Sequence, residues 1–238
     1  MTAQVARELS DAAQRSWRVL HWRHNISASR SMFSSRGTHW AWDTDTGSWH
    51  PVPLRGSGVA DALQGVPAHA AAGIETEALL RVGIVAPLAY EILQEARDLQ
   101  ATASRASLAI AIAALETGIK AFIADLVPDA KWLAQEVPSP PVVKLLREYI
   151  PGLPVRLQIN GKTLPPPDRV LNQLRDAVSK RNQLTHRGVN RVDGQFLKET
   201  IYAVSDCLRL LDYYSGNSWA LNWLSWETMQ DLHVAPRR

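Results

Sequence analysis

The stretch "SRASLAIAIAALETGIKAFIADLV", residues 104–127, decides the fold class. Leu108, Ile112, Leu115, Ile119, Ile123 and Leu126 recur at steps of three and four, which puts them on one face of an α-helix. Pro128 follows and ends it. The most apolar run, "LAIAIAAL" at 108–115, is too short to span a bilayer and is followed by Glu116 and Lys120. The helix therefore reads as a core element with no membrane role. Glu116 sits at the edge of the apolar face, beside Ile112 and Ile123.

Outward from this helix the pattern stays helical. "ETEALLRVGIVAPLAYEILQEARDLQ" is helical with a break at Pro87. "PPVVKLLREYI" predicts a short helix after Pro140 and Pro141. "QFLKETIYAVSDCLRLLDYY" aligns Leu197, Ile201, Val204, Leu208 and Leu211. "SWALNWLSWETMQDL" predicts a last helix with Trp219, Trp223 and Trp226 on one side, a stripe suited to packing before base stacking. Between helices, "VRLQINGKTLPPP" carries Asn160-Gly161, a type I′ turn signal that predicts a small hairpin. Residues 76–238 thus read as a helical bundle, and the fold class as mainly α with one or two small β-hairpins.

Residues 1–75 read as a separate Trp-rich extension. "LSDAAQRSWRVLHWRH" predicts a short helix. In "THWAWDTDTGSWHPVPL" aromatic residues alternate on both sides of a run of turn formers, which predicts a β-hairpin. A Gly/Ala-rich connection follows. His21, His24, His39 and His50 fit no metal or triad spacing and receive no role.

The helix "DRVLNQLRDAVSKRNQLTHR", residues 168–187, departs from its own pattern. Val170, Leu171, Leu174, Ala177, Val178, Leu184 and Thr185 form one broad apolar stripe, with Asp168 expected as N-cap and Gly188 as the stop. Arg181 falls inside that stripe. Asn182 and His186, four apart, share a face at its edge. A guanidinium there snorkels, lines a cleft or interface, or pairs with a carboxylate of a neighbouring helix, because a buried unpaired charge is costly. Glu116 is the candidate partner. Lys180, Arg187 and Arg191 flank the motif as solvated charges or as contacts to a phosphate backbone.

Composition bounds the chemistry. Lys+Arg 26 against Asp+Glu 23 gives a net charge of +3, compatible with a nucleic-acid ligand without demanding one. The single Cys207 permits no internal disulfide, and the first twenty residues lack the apolar core of a secretory signal, which points to the cytoplasm. With one cysteine and no His-x3-His or His-Glu-x2-His pattern, no metal site is expected, and no cofactor.

Arg181, Asn182 and His186 in "RNQLTH" resemble the Arg-x4-His motif of the HEPN superfamily, which ends a long helix late in an α-helical bundle. "SLAIAIAALETGIKAFI" is similar to that family's early helix, in which small and aliphatic residues lead into a Glu. The resemblance covers roughly residues 85–215 and implies a HEPN-like bundle. It implies a metal-independent endoribonuclease, of a kind often found in toxins and phage defence. Arg181, Asn182 and His186 would be catalytic, Glu116 supporting, and Lys180, Arg187 and Arg191 RNA-binding. It also implies a homodimer through the motif helices, an RNA substrate and an antitoxin partner that neutralises the enzyme. The other expectation from the same resemblance is a non-catalytic binding or dimerisation protein whose Arg and His shape an interface or a nucleotide pocket.

Overall fold

The computed structural model describes residues 3–24, 39–43, 48–52, 70–136, 140–187 and 192–234. The chain is mainly helical and divides into two compact units, residues 1–85 and 86–238, so the division falls after the expected boundary at 75.

The first unit holds helix α1 (Ala3–His24), strands β1 (His39–Asp43) and β2 (Ser48–Val52), and helix α2 (Ala70–Arg81). The strands pair antiparallel, with His39 opposite Val52 and Asp43 opposite Ser48. Helix α1 packs on α2. Gly83 closes α2 at φ +74. Its N–H donates to the Leu80 carbonyl and that of Ile84 to Leu79, both at 3.0 Å, a left-handed helix ending that glycine tolerates.

The second unit runs α3 (Leu88–Asp98), α4 (Ser104–Leu126), α5 (Lys131–Glu136), α6 (Val142–Lys144), α7 (Asp168–Arg187), α8 (Gly194–Tyr214) and α9 (Trp226–Asp231). Helix α4 is central and packs on α3, α7 and α8. Its stripe residues Leu108, Ile112, Leu115, Ile119 and Ile123 are at most 1% exposed. By length and composition α4 alone among the described helices could cross a membrane, and about half of that stretch is buried inside the unit. In α8 the residues Leu197, Ile201, Val204, Leu208 and Leu211 are all buried, as their spacing predicts. Asp193 caps this helix by accepting from the Phe196 N–H at 2.9 Å.

Several expectations change. The break around Pro87 is wider than one residue, because α2 ends at Arg81 and α3 starts only at Leu88. Helix α6 is a single turn that widens into a π turn, Leu145–Tyr149, and tightens to a 3-10 turn, Ile150–Gly152. Asp168 is the first residue of α7, and its Oδ1 accepts from Arg147 Nη2. Gly188 lies outside the described residues.

The turn at Asn160-Gly161 forms with φ 49 and 74, and Ile159 and Lys162 exchange two 2.9 Å backbone bonds. No strands grow from it. On one flank Pro165, Pro166 and Pro167 have no N–H to give. On the other, the end of α8 takes the backbone groups: Arg156 N–H donates to the Tyr214 carbonyl at 2.8 Å, and Tyr213 Oη donates to the Gln158 carbonyl at 3.0 Å.

The expected last helix is also split, into a 3-10 segment Ser218–Trp223 and α9. Ser225 between them is claimed by buried Asp206, which accepts its N–H at 2.8 Å and its hydroxyl at 2.6 Å. The tryptophans therefore do not share one face: Trp226 is 55% exposed, while Trp219 lies over Arg209.

Gly118 lets three helices meet. A Cβ there would stand 2.3 Å from Leu208 Cδ2 and 3.3 Å from Ala89 Cβ. Both neighbours are buried and have little room to move. Gly118→Val should lower stability by about 1–3 kcal/mol or more through overpacking. In urea unfolding, Gly118→Ala with Leu208→Ala should cost less than the sum of the two single changes, because the new methyl enters the space that Leu208 vacates.

Candidate functional site

Helix α7 presents the stripe that its sequence predicts. Val170, Leu171, Leu174 and Ala177 are at most 1% exposed and form its inner face. One turn further on, the same face carries Arg181, and across from it α4 carries Glu116. Arg181 Nη2 donates to Glu116 Oε1 at 2.8 Å. The two side chains are 23% and 12% exposed, so the pair is largely out of water but not sealed. The α4 stripe delivers the carboxylate at its edge, and α7 delivers the guanidinium where a leucine would otherwise fit. Among the routes open to a guanidinium in that stripe, the structure shows pairing with a carboxylate of a neighbouring helix.

Removing two charges from water offsets much of their attraction, so such a pair adds little net stability while losing either partner is costly. A guanidinium held by one carboxylate has donors in fixed directions, the property needed to hold a phosphate.

The other expected site residues are distributed around it. Asn182 and Gln183 are exposed on the outer side of α7. Lys180 is partly buried, with its Nζ 5.0 Å from the centre of the Phe196 ring on α8, a cation–π contact that ties α7 to α8. His186 and Arg187 belong to α7, but their side chains lie outside the described residues, as does Arg191 altogether. Helix geometry still sets the backbone of position 186 one turn, about 6 Å, beyond Asn182.

A second polar seam, between α3 and α8, drew no notice from the sequence. Arg209 is 1% exposed and lies over the rings of Tyr90 at 4.7 Å and Trp219 at 5.6 Å. Tyr90 Oη donates to Asp212 Oδ2 at 2.6 Å. Burial first, and then the Asp212 carboxylate, push the Tyr90 hydroxyl well above its usual range, so it remains a donor. The signal that could have found this seam is the run "SDCLRLL", where Arg209 stands between leucines that are all buried. Cys207 in the same run is buried, and burial pushes its thiol up, which makes it inert. Among the described residues no group of three or more His, Cys, Asp and Glu side chains could hold a metal ion.

No family model, no curated protein and no solved structure matches the chain.

A double-mutant cycle tests the Glu116–Arg181 pair. Arg181→Met alone strands a mostly buried carboxylate and should cost about 1–3 kcal/mol, less than a sealed pair would because some water reaches it. Glu116→Leu with Arg181→Met should recover most of that loss in thermal or urea unfolding. Strictly additive costs would show that the two side chains do not act on each other.

Proposed function

We propose that this chain is a metal-independent endoribonuclease of the HEPN type, a cytoplasmic toxin or phage-defence effector. The observation that carries the reading is Arg181: a guanidinium set in an apolar helix face, oriented by Glu116, beside exposed Asn182 and one helical turn from His186. The resemblance of "RNQLTH" to the HEPN motif supplies the reaction.

In that reaction the ribose 2′-hydroxyl attacks the adjacent phosphorus, and the 5′-oxygen of the next nucleotide leaves. His186 moves the proton, since an imidazole changes charge near neutral pH. Arg181 bonds two non-bridging phosphate oxygens and stabilises the charge that builds on them. Glu116 positions Arg181 and keeps its donors from wandering. Asn182 orients His186 or donates to phosphate. Lys180, Arg187 and Arg191 follow the RNA backbone. Two copies dimerise with their motif helices facing, forming a composite cleft for the RNA substrate, and an antitoxin partner neutralises the enzyme by covering it.

Purified protein incubated with mixed RNAs in EDTA should leave ends with 2′,3′-cyclic phosphate and 5′-hydroxyl, and DNA should survive because it lacks the attacking hydroxyl. His186→Ala should reduce the rate by about 10² or more, the scale of a lost general acid–base group. Equal RNA degradation by wild type and variant would place the activity elsewhere. Dimers of both that cleave nothing would favour the non-catalytic HEPN reading.

A further inference from the structure

Asn160 is the one asparagine in the chain that a glycine follows. Both residues are exposed at the tip of the Ile159–Lys162 turn. Among the described residues no atom stands within 4 Å of the place a Cβ on Gly161 would take, so nothing shields this peptide bond. Such a pair carries its own reaction, because asparagine is a labile residue and glycine adds no side chain to hinder attack. The Gly161 nitrogen gives up its proton and bonds to Asn160 Cγ, and the side-chain nitrogen leaves as ammonia. Water then opens the cyclic imide at either carbonyl, which yields aspartate or, with the main chain rerouted through the side chain, isoaspartate. Water is the only co-reactant.

The folded turn opposes this reaction. Asn160 has φ 49, in the left-handed region. A left-handed residue has ψ of about +47°, which sets the following nitrogen across the Cα–C bond from the side chain. The Gly161 nitrogen is therefore out of reach of Asn160 Cγ until the turn leaves this conformation. The turn is held from outside itself. Tyr213 Oη donates to the Gln158 carbonyl at 3.0 Å, and the Arg156 N–H donates to the Tyr214 carbonyl at 2.8 Å. Tyr214 Oη donates to the Leu164 carbonyl at 2.6 Å, and Arg156 Nη2 meets Asp125 at 2.9 Å. These ties grip both flanks of the turn, so its opening is a local event whose frequency they set.

We propose that Asn160 is a self-modification site, deamidating at a rate gated by the clasp that the end of α8 places on its turn. Isoaspartate carries one more carbon in the main chain than the two-residue turn can hold. Its formation breaks the Ile159–Lys162 bridge and is not reversed by refolding. It also puts a carboxylate where a neutral amide stood. The modified chain thus differs from the new one in charge and in the hold on the segment that leads into α7. The inference does not rest on the nuclease reading, since it concerns neither Arg181 nor His186.

Ageing the full chain in mildly alkaline buffer, with and without concentrated urea, tests it. Trypsin cuts after Arg156 and Lys162, so mass spectrometry of the peptide 157–162 reads the exchange of ammonia for water at Asn160 and separates aspartate from isoaspartate. Folded protein should accumulate both products, several-fold more slowly than protein in urea. Tyr213→Phe removes one hydroxyl of the clasp and should speed the folded-state reaction several-fold while leaving the rate in urea unchanged. Its urea unfolding midpoint should stay close to that of wild type, which assigns the gain to local opening. The proposal is overturned by folded protein that keeps Asn160 intact while the urea sample converts, or by equal rates with and without urea. It is also overturned by a Tyr213→Phe rate equal to wild type, or by a gain in rate matched by an equal loss of global stability, since unfolding of the whole unit would then be the route.

Discussion

The packing of α4 at Gly118 is the constraint on which the second unit depends. A helix that must bury Leu108, Ile112, Leu115, Ile119 and Ile123 needs neighbours on several sides, and it has them in α3, α7 and α8. Three helices can close on one point only if a residue there has no side chain. Gly118 supplies that point, where Leu208 and Ala89 come within van der Waals range of its α-carbon side. The cost of a glycine inside a helix, about 1 kcal/mol, is offset by the apolar surface this approach removes from water.

The Glu116–Arg181 pair follows from the same packing. Once α7 lies on α4, the edge of one stripe faces the interior of the other, and charges placed at those two positions meet at 2.8 Å. An apolar pair of similar volume would hold the helices together at least as well. The charges are therefore no requirement of the packing, and Asn182 is exposed on the side of α7 beside them.

Helix α8 organises the polar interior. Its buried Asp206 fixes the start of α9 through Ser225 and Thr228, and its Arg209 and Asp212 engage Tyr90 on α3. Each of these groups would be costly alone in a dry core, and each has found a partner on another element. The chain end is consequently held by side-chain hydrogen bonds as much as by apolar contact.

Periodicity made α4, α7 and α8 legible from the sequence, because burial of one face imposes a three-to-four residue step that survives any arrangement of neighbours. The same reasoning exposed Arg181 as a charge inside an apolar stripe, and the position of Glu116 on its own helix marked it as a carboxylate within reach. Elements whose form depends on long-range partners were not legible. The flanks of Asn160-Gly161 do not become strands, since Tyr213 and Tyr214 engage the backbone groups of Gln158 and Arg156 and three prolines offer none. The last helix breaks at Ser225 because Asp206, distant in sequence, accepts its groups. Arg97 and Arg209 drew no reading from the sequence, because their surroundings form only where α3 packs on α8. Local sequence determined which residues would share a face, whereas only the packed structure decided which faces would meet, because hydrogen bonds and charge pairs between distant segments leave no periodic trace.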